Sequence, residues 1–396
     1  MKAVILAAGE GSRLWPFTHS KPKVMIPVAN KPILEYVVRA LVENGLDDIV
    51  IVVGYKKERI MTYFEDGREF GARIKYSVQK KQLGTAHALL SAAKMVKGDF
   101  LVLPGDNVID SSVIKDLLSA DTCPCALITE SEIPSKYGVV EISSGNVSDI
   151  TEKPEEMVGN LISTGIYRLD ADVMRIARSL SRQGVHDLTS SVREMAAESE
   201  VLAVHSHGKW VDAVYPWDIL RVNETALHDV GARKSGKMEK NVMIKNSVVI
   251  GEGSLLRSGT YIQGPVVIGK GCEIGPNAVI YPSTSIGDNV RISAHTLVEE
   301  SVMMPDATVG PGSHLSHCVV GEGAVLRSRF SASSSVARME VEGEFHKVPD
   351  IGSFLGEDVL CEDGVIASPG TIVGAKTRVA AMKTLVGSFP DGSTVV

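Results

Sequence analysis

The chain has 396 residues, more than one ordinary hydrophobic core accommodates, so its length predicts two domains. Hydrophobic residues make up 44% and charged residues 22% of the chain, as is typical of globular proteins. The net charge is −7 and no basic tract occurs, which argues against nucleic acid as a partner but not against single nucleotides. No run of 18 apolar residues is present, so we expect no membrane span and no membrane partner.

The cysteines point to a reducing compartment. They are five, an odd number, and no Cys-x-x-Cys spacing occurs, which is typical of reduced thiols in a cytoplasmic protein. The first apolar run ends at Ala8 and passes into the polar loop from Gly9 to Arg13. We interpret this run as a buried strand before a functional loop and not as a secretory signal, so the sequence predicts a cytoplasmic location.

Short aliphatic runs alternate with amphipathic stretches over residues 1–230. This alternation predicts an α/β, Rossmann-like domain of βαβ units with helices on both faces of the sheet. The candidate strands are Ala3–Ala7, Ile49–Val53, Arg73–Val78 and Asp99–Leu103, and the candidate helices are Ile33–Glu43 and Thr85–Met95. Strands near 124–130, 137–142 and 147–151 follow without intervening helices. We expect these three to form an antiparallel portion over the sheet, which makes the domain mixed.

The second half has a different period. Residues 231–240 are polar and contain two glycines, which predicts a linker, and beyond them, over residues 241–396, aliphatic residues recur every six positions. A period of six is typical of hexapeptide solenoids, in which three hexapeptides form one triangular coil of a left-handed parallel β-helix. The nine consecutive matches are Ile250, Leu256, Ile262, Ile268, Ile274, Ile280, Ile286, Ile292 and Val298. The phase slips near 300–330, and we expect residues 327–353 to leave the solenoid as a loop or arm.

A glycine loop follows the first predicted strand. Glycine lets backbone N–H groups approach a phosphate closely, and a helix start favours negative charge. Leu14 stands where the dinucleotide fingerprint has its third glycine, and no Gly-Lys-Ser/Thr closes a Walker loop. Arg13 and Lys23 add two cations, which suits a triphosphate that must lose pyrophosphate. The predicted nucleotide-binding residues of this loop are Leu6, Ala7, Gly9, Gly11 and Ser12.

The segment Leu6–Leu14 followed by Lys21–Pro27 resembles the signature of the sugar-phosphate nucleotidylyltransferases. The resemblance continues in family order through most of the first 230 residues. Its further motifs are Gln79, Leu83–Ala86, Gly105–Asn107, Tyr137–Val140, Glu152–Pro154, Asn160, Thr164–Tyr167 and Trp210–Asp212. In this reaction an oxygen of a sugar 1-phosphate attacks the α-phosphorus of a nucleoside triphosphate, and pyrophosphate leaves on the opposite side. Two polyanions must be aligned and neutralised, and no protein nucleophile is needed.

The resemblance implies a role for each cation and for two carboxylates. Arg13 would stabilise the leaving phosphates, and Lys23 would bridge the α-phosphate and the sugar phosphate. Asp106 and Asp212 would hold Mg²⁺ through hard carboxylate oxygens. Asn223 is an alternative metal ligand by resemblance and, as the other interpretation, a residue that caps or packs its helix.

The remaining matches concern the base and the sugar. Gln79, Gly84 and Thr85 resemble elements that read a uracil or thymine edge. The residues that resemble the sugar-phosphate pocket are Gly138, Glu152, Lys153, Asn160 and Thr164.

A nucleotidylyltransferase joined to a hexapeptide solenoid resembles the bifunctional N-acetylglucosamine-1-phosphate uridylyltransferase/glucosamine-1-phosphate acetyltransferases, especially archaeal forms of this length. In that family a solenoid histidine is the general base on the sugar amine, and acetyl-CoA binds between subunits. His314 matches that histidine, with His317 as a competitor and a polar corner residue as the other interpretation of His314. Residues 323–335 depart from the family, because the glycine-alanine-glycine-threonine run and the asparagine that line the aminosugar site are missing.

The sequence therefore predicts Mg²⁺-dependent transfer from UTP or dTTP to N-acetylglucosamine 1-phosphate or glucose 1-phosphate. Acetyl-CoA-dependent N-acetylation in the second domain stays open. One alternative is a monofunctional enzyme whose solenoid only mediates assembly, and another is a non-catalytic regulatory subunit. The four residues Arg13, Lys23, Asp106 and Asp212 argue against the regulatory subunit. The solenoid predicts a homotrimer or a dimer of trimers.

Overall fold

The structure, a computed structural model, describes residues 1–154 and 159–396. They form two compact units. Residues 1–10 and 33–211 make the N-terminal unit, and residues 11–32 and 212–396 make the C-terminal unit. This division differs from the predicted boundaries at 230 and 240, because residues 11–32 and 212–230 associate with the second unit.

The regular elements before the solenoid follow the predicted alternation. The strands of three or more residues are β1 (Lys2–Ala7), β2 (Asp48–Val53), β3 (Arg73–Val78), β4 (Phe100–Pro104), β5 (Asn107–Ile109), β6 (Cys125–Glu130), β7 (Gly138–Ser143), β8 (Asn146–Glu152), β9 (Leu161–Leu169), β10 (Leu202–His205) and β11 (Trp210–Asp212). The α-helices are α1 (Ile33–Glu43), α2 (Lys57–Phe64), α3 (Thr85–Ser91), α4 (Ser111–Leu118), α5 (Asp172–Arg182), α6 (Leu188–Glu198) and α7 (Asp218–His228). Among the described residues, none of these helices has the length and apolar character needed to cross a membrane.

The N-terminal unit is built on one mixed sheet, whose strand order is β3-β2-β1-β4-β9-β6-β10-β8-β7 in the described part of the chain. Strands β3, β2, β1 and β4 are parallel. Strands β2, β1 and β4 are near-continuously apolar, as expected when helices cover both faces, whereas the edge strand β3 alternates exposed and buried residues. Strand β9 pairs antiparallel with β4 on one side and antiparallel with β6 on the other. The predicted antiparallel strands therefore extend this sheet, and the expectation that they lie over it is wrong.

The C-terminal unit is a parallel β-helix whose strands stack into three flat sheets. One sheet contains Arg233–Lys234, Val248–Ile250, Val266–Ile268, Thr284–Ile286, Val302–Met303, Val319–Val320, Phe354–Leu355, Ile372–Val373 and Ser388–Phe389. The second contains Lys237–Met238, Leu255–Leu256, Glu273–Ile274, Arg291–Ile292, Thr308–Val309, Val325–Leu326, Leu360–Cys361, Arg378–Val379 and Thr394–Val395. The third contains Met243–Lys245, Tyr261–Gln263, Val279–Ile280, Leu297–Glu299, His314–Ser316, Ser331–Ala332, Ile366–Ala367 and Thr384–Leu385.

The aliphatic repeat fills the lumen of this helix. All nine residues of the predicted series are at most 1% exposed. Two strands of the first coil, Arg233–Lys234 and Lys237–Met238, fall within the segment expected to be a linker.

The slip of the repeat has a local cause at one corner. Between the third sheet and the first, the lumen residues are six positions apart at Ile280 and Ile286 but five apart at Val298 and Met303. The strand pairing survives, because Leu297 pairs with His314 after 17 residues where Tyr261 pairs with Val279 after 18. At the two other corners the spacing of six continues to the last coil.

The same corner carries an arm, which is shorter than the predicted 327–353 because Ser331–Ala332 is still a strand of the third sheet. Strands Ser335–Val341 and Glu344–Ile351 form an antiparallel hairpin, and the coil resumes at Phe354–Leu355. We call residues 335–351 the arm.

The three faces of the β-helix differ in chemistry. The first, here the covered face, is buried by residues 11–32 and α7: Val267 packs with Ala29 and Leu227, and Phe17 meets Phe354 at 6.5 Å. The second face, here the polar face, turns mostly charged and polar side chains outward, with a few aliphatic side chains between them. The third, here the His314 face, turns outward Met243, Tyr261, Val279, Leu297, His314, Ser331, Ile366 and Thr384.

This arrangement predicts opposite effects for two adjacent residues of one strand. Ile292 fills the lumen and Arg291 points to solvent on the polar face. We expect Ile292→Ala to lower the free energy of unfolding by about 2 to 5 kcal/mol, because it leaves a cavity in a packed core. Arg291→Ala is the matched control and should change stability little. Urea denaturation followed by circular dichroism measures both, and equal effects would contradict the assigned lumen.

Candidate active site

The glycine loop that is predicted to bind the nucleotide begins at the carboxyl edge of the N-terminal sheet. Leu6 and Ala7 end β1, which lies between β2 and β4, and the Leu6 carbonyl accepts a hydrogen bond from Gly105 N at 2.9 Å. A Cβ atom on Gly105 would lie 3.2 Å from the Cβ of Ala7, so only glycine fits there without a shift. Gly9 has open space where its Cβ would be.

Asp106 directly follows Gly105 at the end of β4. Adjacent parallel strands end at the same edge of a sheet, so the fold places Asp106 at the edge where β1 ends, as the sequence predicts. The amide oxygen of the next residue, Asn107, is buried and lacks a hydrogen-bond partner among the described residues. A buried amide oxygen beside a carboxylate is a donor set that suits a hard cation.

Gln79 is held in one orientation at the end of β3. Its side chain is 4% exposed, and its Nε2 donates to the Gly84 carbonyl at 3.1 Å and lies 2.9 Å from Nδ1 of His87. Because the nitrogen faces a carbonyl acceptor, the amide flip is fixed and Oε1 is the atom that can accept from a base. The sequence motifs did not indicate His87.

The turn that precedes α3 is fixed by residues just before α6. Gly84 has φ +154°, and a Cβ atom there would lie 2.5 Å from the His186 carbonyl oxygen. Thr85 Oγ1 accepts a hydrogen bond from Leu188 N at 2.8 Å, so this hydroxyl supports the turn. Gln79, Gly84 and Thr85 thus lie close together.

Gly138 and Glu152 face each other across the β7–β8 hairpin. The two residues are register partners, and a Cβ atom on Gly138 would lie 3.1 Å from Glu152 Oε2. Desolvation of the carboxyl raises the pKa of Glu152, while Lys153 and a hydrogen bond with Thr189 lower it. Thr189, near the start of α6, is therefore a neighbour of this carboxylate that the sequence motifs did not indicate.

The other predicted sugar-phosphate residues have different surroundings. Lys153 donates its backbone N–H to the Tyr137 carbonyl at 3.0 Å and has φ +44°. Asn160 is exposed, and its carbonyl accepts from Ser131 N at 2.9 Å. Thr164 is buried, and its hydroxyl donates to the Leu127 carbonyl at 2.8 Å, so the structure gives it a role inside the sheet.

The remaining loop residues lie in the C-terminal unit. Gly11 has φ +75°, and a Cβ atom there would lie 2.6 Å from the Cβ of Lys23, so the glycine allows Lys23 to approach. Ser12–Leu14 form one 3₁₀ turn. Ser12 Oγ and Arg13 Nε each donate to a different carboxylate oxygen of Glu342, both at 2.8 Å. This hydrogen bond is the main cause that raises the pKa of Arg13.

Lys21 and Lys23, two residues apart, have different roles. Lys21 is 6% exposed, and its Nζ lies 2.6 Å from Glu322 Oε2 and 3.2 Å from Glu357 Oε1. The ammonium group thereby ties residues 11–32 to two adjacent coils. Because its ammonium group is held by these two carboxylates, Lys21 is not available to a substrate. This supports Lys23 as the lysine that would bind phosphate.

Asp212 and Asn223 separate clearly. Asp212 is 7% exposed, and its Oδ1 lies 3.7 Å from Nη2 of Arg221. Asn223 is fully buried: its Oδ1 accepts from Ala29 N and Ser285 Oγ, and its Nδ2 donates to the Ser283 carbonyl. These three bonds use the amide to join α7 to the covered face, so Asn223 packs its helix and is not a metal ligand.

Only a small set of side chains is suited to a metal. Within the described residues, no cluster of three or more His, Cys, Asp or Glu could hold a metal ion. Mg²⁺ in phosphoryl-transfer sites is usually held by one or two carboxylates together with substrate phosphates. Asp106 and Asp212 are each a carboxylate of the kind that such sites use.

His314 and His317 occupy different parts of the β-helix. His314 is 38% exposed on the His314 face, and its Nε2 lies 3.3 Å from Oε1 of Glu299 on the preceding coil. His317 is at the corner with φ +52°, between Glu300 at 2.9 Å and Ser316 Oγ at 3.1 Å. The carboxylate of Glu299, which the sequence did not indicate, can hold the His314 ring in one tautomer and orientation.

Comparisons with known proteins match two parts of the chain to two different family models. Residues 2–228 match the Nucleotidyl transferase family, and residues 262–383 match the GMPPB C-terminal domain. A "Bifunctional protein GlmU" of Methanococcus maripaludis is 34% identical over 96% of this chain and 93% of its own length. A bifunctional sugar-1-phosphate nucleotidylyltransferase/acetyltransferase of Sulfurisphaera tokodaii is 34% identical over 96% of both chains.

Solved structures agree for the first half. A UDP-glucose pyrophosphorylase complexed with UDP-glucose superposes with a TM-score of 0.51 at 26% identity, over 57% of this chain and 97% of that one. The chain therefore belongs to the nucleotidyl transferase family and is a sugar-1-phosphate nucleotidyltransferase, homologous to the archaeal bifunctional GlmU-like proteins.

Proposed function

We propose that the chain transfers a uridylyl or thymidylyl group from UTP or dTTP to N-acetylglucosamine 1-phosphate or glucose 1-phosphate. The observation that carries the proposal is the pair Ser12 and Arg13, which already binds a carboxylate through two hydrogen bonds of 2.8 Å. A carboxylate presents two oxygens much as a phosphate does, so the same donors suit the phosphates that leave as pyrophosphate.

The orientation of Gln79 supports a uracil or thymine base. Both bases carry an N3–H donor on their Watson–Crick edge, and Gln79 Oε1 is an acceptor. Cytosine presents an acceptor at N3, which would face the amide oxygen with no proton between them. A site built around one hydrogen bond rejects the analogue that cannot make it.

Each residue then acts on charge or position. Arg13 stabilises charge on the leaving pyrophosphate, and Lys23 bridges the α-phosphate and the sugar phosphate. Glu152 accepts from sugar hydroxyls, and Lys153 meets the sugar phosphate. Mg²⁺, held by Asp106 and Asp212, would neutralise the phosphates when bound. A sugar-phosphate oxygen forms the new bond to the α-phosphorus as the bond to the bridging oxygen breaks, and no proton has to move.

We also propose acetyl transfer on the His314 face. The Glu299–His314 pair, at 3.3 Å, resembles the arrangement that makes a histidine an effective general base. His314 would take a proton from the sugar amine as the amine nitrogen attacks the thioester carbonyl of acetyl-CoA. The bond between the carbonyl carbon and sulfur then breaks, and the proton passes from His314 to the thiolate, which leaves as the thiol. Ser331, the register partner of His314, stands in the altered coil, so the aminosugar would be bound by other groups than in the bifunctional family.

The assembly proposed for the β-helix, which we take to be left-handed, is a trimer through the His314 face. Residues 11–32 and α7 already bury the covered face, and the polar face exposes charges such as Arg291 and Arg378. The His314 face instead exposes an apolar stripe in which Met243 is 58% and Ile366 49% exposed. A second copy seated there would bury the stripe and complete the site beside His314.

The proposed reaction is tested by pyrophosphate release from a matrix of UTP, dTTP, CTP and GTP against the two sugar 1-phosphates with Mg²⁺. We expect release with UTP or dTTP only. Asp106→Asn and Asp212→Asn should each lower the rate roughly 100-fold or more, because the cation loses a ligand. Glu141→Gln, an exposed change on β7, is the matched control. Equal rates for CTP and UTP would contradict the role of Gln79.

The second activity is tested by thiol release from acetyl-CoA with glucosamine 1-phosphate. We expect His314→Asn to lower this rate roughly 100-fold or more, since the amine loses its general base. Pyrophosphate release should stay unchanged in that variant. His317→Asn is the control and should keep both rates. Absence of thiol release from the unaltered protein would leave a monofunctional enzyme.

The assembly is tested by light scattering after gel filtration. Leu297→Arg puts a charge into the apolar stripe, and we expect it to convert the trimer into monomers and to abolish thiol release. Thr308→Arg places the same side chain on the polar face and should leave the trimer intact. A trimer that survives Leu297→Arg would exclude the His314 face as the interface.

A further inference from the structure

The tip of the arm contacts the residues that the proposed function assigns to the leaving phosphates. Val341 pairs with Glu344, so Glu342 and Gly343 form a two-residue hairpin loop. Their φ values of +52° and +84° are those of a type I′ turn. Asn, Asp and Gly are the usual residues there, and a glutamate in this conformation is uncommon. The side chain of Glu342 therefore calls for an explanation beyond the turn.

Glu342 satisfies both anion-binding donors at once. Its two carboxylate oxygens accept separately from Ser12 Oγ and Arg13 Nε. The contact is geometrically matched, in the same way as a carboxylate or phosphate ligand would be. It is also close to half exposed, at 43% for Arg13 and 47% for Glu342, so solvent screens it.

A second contact holds the arm beside the tip. The His346 ring lies 4.5 Å from the Tyr215 ring and 5.5 Å from the Trp217 ring, and those two rings stack on each other at 4.7 Å. At its base the arm packs against the coil, because a Cβ atom on Gly370 would lie 2.8 Å from Met339 Sδ. The arm is thus attached along its length, and the contact at its tip is the half-exposed ion pair of Glu342 with Arg13.

A groove of about 250 Å³, open to solvent, is lined by Val348 and Pro349 of the arm together with Trp217, Arg221 and His317. The second strand of the arm therefore borders open space along part of its length.

We propose that Glu342 is an internal competitor of the nucleoside triphosphate, whose phosphates displace the arm tip from Ser12 and Arg13. The inference rests on the proposed function for the identity of the ligand. A triphosphate carries several negative charges, whereas Glu342 carries one. At sufficient concentration the triphosphate therefore replaces Glu342 as the acceptor for Ser12 and Arg13. Glu342 would thereby set the affinity for the triphosphate without taking part in the reaction.

The kinetic test compares Glu342→Gln with Glu340→Gln, which removes the same charge from the same arm at an exposed position. For an ion pair of this exposure we expect Glu342→Gln to lower the KM for UTP or dTTP roughly two- to fivefold. The value of kcat and the KM for the sugar 1-phosphate should not change. Glu340→Gln should behave as the unaltered protein. An unchanged or higher triphosphate KM in Glu342→Gln would overturn the proposal.

A second readout needs no turnover. Trypsin can cut the arm after Arg338 or Lys347. We expect UTP, dTTP or inorganic pyrophosphate, each with Mg²⁺, to accelerate this cleavage in the unaltered protein and in Glu340→Gln. Glu342→Gln should be cut fast with or without these anions. Cleavage that ignores all three anions would overturn displacement of the arm. Cleavage that responds, in a protein that releases no pyrophosphate, would contradict the proposed function alone.

Discussion

A buried ammonium group between two carboxylates is the interaction on which the rest of this structure depends. Lys21 is 6% exposed and lies against Glu322 and Glu357, which belong to adjacent coils of the β-helix. Removal of one partner from a buried ion pair is costly because it leaves a charge without compensation. This pair, with the bonds of Asn223, holds residues 11–32 on the covered face. Ser12, Arg13 and Lys23 are thus positioned by the β-helix and not by the sheet from which their loop starts.

In the proposed function, this dependence means that the β-helix positions residues that act in nucleotidyl transfer. The sequence suggests a catalytic half followed by a solenoid with a separate task. In the structure, the residues that would neutralise the triphosphate belong to the same compact unit as the solenoid. In the proposed function, the β-helix supports the segment assigned to the phosphates and also carries His314, and neither proposed task occupies the polar face.

Local patterns were sufficient for most of the fold. The four predicted parallel strands agree with the structure to within one residue. In β1, β2 and β4 an apolar run buried on both faces leaves a strong signal, whereas in β3 exposed and buried residues alternate at the edge of the sheet. The lumen series from Ile250 to Val298 holds because its aliphatic residues are buried as well. The placement of the late strands in the sheet was not predictable, since it depends on β9 returning beside β4. The roles of Lys21, Asn223 and Glu342 rest on partners about 60 to 340 residues away, which no local pattern records.

The corner between the His314 face and the covered face accepts coils of different length. It loses one residue between Val298 and Met303 and gains the whole arm between Ala332 and Leu355, while the strands above and below keep their pairing. At the other two corners the spacing never changes. Insertions and deletions are therefore tolerated at one corner of the β-helix. We expect homologous chains to vary in length at this corner, so that inserted elements can be added beside Ser12 and Arg13 without disturbing the stacked core.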